Sequence, residues 1–90
     1  MQSKPNLAKD LKELGFIFED NEYPNSEIYG KTLDFESKDF NLIVTDKSEV
    51  FLMVRGCLKE PVIYIQTLDE LNNFWRYLTN KYICKVEIKN

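Results

Sequence analysis

Ninety residues, 43% of them apolar and 13% aromatic, suffice for one hydrophobic core and leave no room for a second, so residues 1–90 are read as a single compact domain. The formal charge is −3, the isoelectric point is near 4.9 and there is no histidine. The commonest general base at neutral pH is therefore missing, and the acidic balance argues against direct nucleic-acid binding, which is driven by neutralising phosphates.

No apolar run nears the roughly 18 residues of a membrane helix, and the start Met-Gln-Ser-Lys-Pro lacks the apolar stretch of a secretory signal. The expectation is a cytoplasmic protein with no membrane partner. Cys57 and Cys84 stand 27 positions apart and do not form the even framework of a small secreted fold, so both are read as reduced thiols.

In chain order, Pro5 behind Ser3 and Lys4 suits a helix start, and Leu7, Leu11 and Leu14 recur at helical spacing up to Gly15, which predicts a helix over about residues 4 to 14. Phe16-Ile17-Phe18 reads as a short strand. The Asn, Pro and Ser density of residues 19–26 reads as a surface loop. Strands are predicted at residues 28–35 and 40–45, then a turn at Asp46-Lys47-Ser48-Glu49, then a strand at 50–55. Gly56 to Pro61 breaks the pattern, and Val62 to Gln66 is a further β-branched run with Pro61 allowed at its start. Thr67-Leu68-Asp69-Glu70 is a capping box. The helix it opens carries Leu68, Leu71, Phe74, Trp75, Leu78 and Tyr82 along one stripe, and Asn80 can end it. Cys84, Val86 and Ile88 alternate with Lys85, Glu87 and Lys89, as in an edge strand. The predicted fold is α+β, a mostly antiparallel sheet of five or six strands with two helices, in the order α-β-β-β-β-β-α-β.

The sequence presents no catalytic set, no cofactor motif and no metal site. Without histidine the usual partner of a nucleophilic Ser or Cys is missing, and two cysteines alone fall short of structural zinc. Cys57, beside Arg55 and Gly56, reads as a half-buried filler residue and Cys84 as core. Glu19, Asp20, Glu22 and Glu27 do not have EF-hand spacing, and Gly15, Gly30 and Gly56 stand singly, so no phosphate-cradling loop exists.

What remains is surface. From Glu19 to Asp39, seven acids face two lysines, while residues 76–90 carry four cations against Glu87. Asp34 and Glu36 should project from one strand face about 6.7 Å apart, an arrangement that can imitate nucleic acid toward a basic groove. Pairing the hairpin through Asp46–Glu49 sets Thr45 opposite Val50 and Val44 opposite Phe51. One face then carries Phe40, Leu42, Val44, Phe51 and Met53, and the other Ile43, Val50, Leu52 and Val54. A sheet apolar on both sides is either covered on both sides or docked by a partner, a second copy of the chain included. Arg76 and Tyr77, on the outer side of the late helix, add a second candidate surface.

In its small size, single domain, composition rich in Lys, Asn and Ile, and want of a catalytic set, the chain resembles the small inhibitors and accessory proteins carried by phages and other mobile elements, anti-CRISPR proteins among them. The resemblance is of kind and carries over no residue. It implies a non-enzymatic, protein-binding module acting by steric contact, with a protein partner such as a nucleic-acid-handling protein. The residues named for contact are Phe51, Leu52, Met53, Arg76, Tyr77, Asp34 and Glu36. The alternative is a small-ligand sensor with Tyr23, Tyr29 and Tyr64 lining a pocket.

Overall fold

A computed structural model describes residues 6–21, 28–62 and 64–83. Its elements are α1 (Leu7–Glu13), β1 (Glu19–Asp20), β2 (Lys31–Glu36), β3 (Phe40–Thr45), β4 (Val50–Val54), β5 (Cys57–Pro61) and α2 (Leu68–Thr79). The fold is α+β, with two helices and an antiparallel sheet in the order β1-β2-β3-β4-β5. Four strands of five or six residues carry the sheet, not the five or six strands expected, and β1 adds only a two-residue ladder outside β2. The predicted strand at 84–88 lies outside the described residues.

The first helix is shorter than predicted. Asn6 caps it, its Oδ1 accepting the Lys9 N–H at 3.0 Å. At the other end Gly15 takes φ +101°, its N–H donates to the Lys12 carbonyl at 3.0 Å, and the Phe16 N–H donates to the Leu11 carbonyl at 3.1 Å. That pair of bonds is a Schellman motif, which needs a left-handed residue, and only glycine adopts it without strain. Seven residues are too few for a helix to hold alone, so α1 depends on burying Leu7, Ala8 and Leu11. The cap also explains why Phe16–Phe18 is not a strand: Phe16 closes the helix end, Phe18 is buried in the core, and pairing begins only at Glu19.

The second helix follows its local signals. Thr67 Oγ1 accepts the Glu70 N–H at 3.2 Å and Glu70 Oε1 accepts the Thr67 N–H at 3.1 Å, the predicted capping box. Asn80 ends the helix with φ +61°, donating its N–H to the Arg76 carbonyl at 2.7 Å. Leu71 and Trp75 are buried and Leu68, Phe74 and Leu78 half-buried, whereas Tyr82 lies past the helix end and is exposed. Asn72 is the unpredicted buried member of the stripe. Its Oδ1 accepts the Ile83 N–H at 2.9 Å and so staples the following chain to the helix.

The hairpin register differs by one residue from the predicted one. Val44 pairs with Val50, Ile43 with Phe51 and Leu42 with Leu52. The cause is in the turn, which spans Thr45 to Glu49: the Ser48 N–H donates to the Thr45 carbonyl at 3.0 Å, the Thr45 N–H to the Glu49 carbonyl at 2.8 Å, and Ser48 takes φ +66°. This is a three-residue loop, a turn over Asp46 and Lys47 followed by the left-handed Ser48, one residue shorter than the assumed four-residue loop. Ser48 is held there by α1. Its Oγ accepts the Ala8 N–H at 2.9 Å and donates to Asn6 Oδ1 at 3.1 Å, so the turn supplies a tertiary cap for the helix.

The expected break at Gly56 to Pro61 is instead a strand, and the expected strand at 62–66 does not form. Arg55 and Gly56 both have positive φ, +51° and +81°, the geometry of a two-residue type I′ hairpin turn that pairs Val54 with Cys57. A bulge opposite Leu52 then shifts the register, so that Phe51 faces Pro61. Pro61 thus ends a strand rather than starting one.

A one-residue slip reverses every β4 side chain. Leu33, Phe35, Phe40, Leu42, Val44, Val50 and Leu52 share the face packed on Leu7, Ala8, Leu11, Leu71 and Trp75, so both helices cover the same side. On the other side Ile43 and Phe51 form a small cluster with Ile28, with Met53 packed against it.

Candidate protein-interaction site

The residues predicted for contact divide over three places. Phe51 is only 3% exposed, enclosed with Ile43 and Ile28; Met53 sits half-buried beside it, while Leu52 points to the opposite, helix-covered face. The three do not make one surface.

Asp34 and Glu36 are exposed on the face away from the helices, because Leu33 and Phe35 between them face the core. Glu19 pairs with Thr32 and so lies on the same side as Asp34. Together with Asp20, these acids line a groove of about 280 Å³ at the β1–β2 edge. Ile17 lines the same groove and is 75% exposed. Sequence reasoning passed over Ile17, although alternation within Phe16-Ile17-Phe18 already turns it away from its two buried or half-buried neighbours. Strand pairing puts Glu19, Asp34 and Glu36 on one side, which sums their field over a small area, while Asp20 lines the groove from the position opposite Lys31. Glu22 and Glu27 lie outside the described residues.

On α2, Tyr77 is 86% exposed, and the Arg76 guanidinium lies 5.2 Å from the centroid of the Tyr82 ring, a cation–π contact that occupies its face. Tyr64 is exposed and meets Phe74 edge-on at 6.0 Å. Neither Tyr29 nor Tyr64 lines this groove or the two other clefts described for the chain, and Tyr23 lies outside the described residues.

Cys57 is an exposed free thiol at the start of β5, not a half-buried filler, because the type I′ turn carries it to the sheet's edge. Cys84 lies outside the described residues. Among the described residues no group of three or more Cys, Asp or Glu side chains is arranged to hold a metal ion, and no helix is long and apolar enough to cross a membrane.

No family model matches this sequence, and no curated protein or solved structure matches it.

Proposed function

We propose that the chain is a non-enzymatic protein-binding module, an inhibitor or accessory subunit of the phage or mobile-element kind, that docks through the acidic groove at the β1–β2 edge. The observation that carries this reading is Ile17, 75% exposed among Glu19, Asp20, Asp34 and Glu36. An apolar side chain ringed by charges reproduces the layout of an interface, in which an apolar anchor gives the affinity and the polar rim excludes water and selects the partner. Carboxylates on that rim fit a basic surface, such as the phosphate-binding groove of a nucleic-acid-handling protein, and they accelerate its approach.

The test is affinity capture from lysate of the source organism with three baits: the unaltered chain, the double variant Asp34→Lys/Glu36→Lys, and Tyr77→Ala. A partner held by the first and third baits and released by the second supports the groove. A partner held by the charge-reversed bait but lost with Tyr77→Ala would move the interface to α2 and overturn this reading.

A further inference from the structure

The C-terminal end of α2 has two sides. Its inner side, with Trp75 and Leu78, lines a cleft of about 330 Å³ against the β2–β3 turn. Its outer side carries Asn73, Arg76, Tyr77 and Asn80, all exposed, because a helix that buries Leu71 and Trp75 turns these four positions away from the sheet. Tyr82, just past the helix, is exposed as well. Between Glu70 and Glu87 the sequence contains no Asp or Glu, whereas Arg76, Lys81 and Lys85 all fall there. The outer end of α2 is thus aromatic and cationic.

The acidic groove is its counterpart in both respects. It offers exposed Ile17 where α2 offers Tyr77, and carboxylates where α2 offers Arg76. The Arg76 guanidinium stacks on the Tyr82 ring, which engages its flat face and not its N–H groups, so it is held in place as a donor for a carboxylate. The groove carboxylates of Asp34 and Glu36 face away from the helices, whereas the outer side of α2 faces away from the sheet. Within one chain the two surfaces point in opposite directions and do not meet. Between two chains they do.

We propose that a second copy of the chain occupies the groove, with Tyr77 of one copy packed on Ile17 of the next and Arg76 directed at the carboxylates of Glu19 and Asp20. This rests on the reading of the groove as a docking surface, and it names one occupant. The contact joins two different patches, so it propagates head to tail into a ring or an open chain instead of closing as a twofold dimer. Each patch is a handful of side chains, fewer than the roughly 20–30 residues a side of a stable interface, so the association is weak and shows only at high concentration. A foreign basic partner and a neighbouring copy then exclude each other.

Sedimentation equilibrium of the full chain at low salt should show an average mass that rises with concentration, and less steeply as salt is added. Glu19→Lys and Arg76→Glu should each weaken association by about fivefold, the upper range for an exposed ion pair. Mixed in equal amounts, the two variants should regain the parental association, because each reversed patch meets its reversed counterpart. Each reversal moves the charge of −3 by two, to −1 and −5, so both variants stay negative and general attraction does not explain the rescue. Ile17→Ser, which changes no charge, should weaken association by about three- to tenfold through the lost apolar contact. All three positions are exposed, and unchanged melting curves will show that the variants fold. A monomer throughout, up to about 1 mM chain, overturns the proposal. So does association that survives either reversal, as a twofold contact through one patch alone would. Both results leave the groove open to a foreign partner, which capture with the Asp34→Lys/Glu36→Lys bait decides separately.

Discussion

On one face of the sheet Leu42, Val44 and Val50 are covered by two helices, whereas on the other, among the described residues, Ile43 and Phe51 are covered by Ile28. The helix-covered face is apolar from Leu33 to Leu52. The second face carries this cluster and, around it among the described residues, Thr32, Asp34, Glu36 and Asn41. An antiparallel sheet with one solvated side alternates in this way, and the apolar surplus that had suggested a docking face is largely enclosed. The lesson is that a run such as Val50-Phe51-Leu52-Met53-Val54 need not mean an interface, because one chain-internal residue can cover its minor face.

Lysine at adjacent β4 positions tests this comparison most severely. Phe51→Lys would place an ammonium in a site that is 3% exposed, and should cost about 3–5 kcal/mol by leaving a buried charge unpaired. Leu52→Lys sits at a half-buried position on the helix side, where a long side chain can reach water, and should cost about 1–2 kcal/mol. Denaturant unfolding of both variants checks the difference. A Phe51→Lys protein as stable as the unaltered chain would mean that the second face is open and available to a partner after all.

Ile28→Ala should lower stability by about 2–3 kcal/mol, as expected for truncating a buried branched side chain. It should also uncover Ile43 and Phe51. Binding of a hydrophobic dye, or association detected by light scattering, should therefore appear in this variant and be absent from the parent. Loss of stability without either sign would show that other chain closes over the gap.

The smallest effect belongs to the clasp that holds α1 on its face. Ser48→Ala removes the acceptor for the Ala8 N–H and should cost about 1 kcal/mol. Hydrogen exchange at Ala8 and Lys9 should accelerate more than exchange in α2. Uniform acceleration in both helices would mean that the clasp matters no more than any surface hydrogen bond.

The acidic groove was half legible beforehand. Asp34 and Glu36 fall on one strand face by alternation alone, but Glu19 joins them only because β1 pairs it with Thr32. The cleft under Trp75 was hidden altogether, since the β2–β3 turn and the end of α2 that form it are far apart in the chain. Tyr29 and Tyr64, two of the tyrosines named for a pocket, line none of the three clefts, because an aromatic's side-chain type says nothing about which cavity it enters.

The sequence by itself determined the elements whose signals are local. Thr67 and Glu70 start α2 and Asn80 stops it, Gly15 stops α1, and strands lie at 40–45 and 50–54. Each depends on hydrogen bonds or dihedral preferences within a few residues, so neighbours alone decide it. Tertiary structure decided the hairpin register and the place of β5. Loops of three and of four residues both suit the segment after Thr45, and the shorter one prevails with Ser48 bonded to α1, which no local signal in β3 or β4 announces. The β-branched run after Pro61 lost to Cys57–Pro61 because Arg55, a residue seldom left-handed, is held so by donating its N–H to the Asp39 carbonyl at 2.9 Å, a contact between two separate hairpin turns.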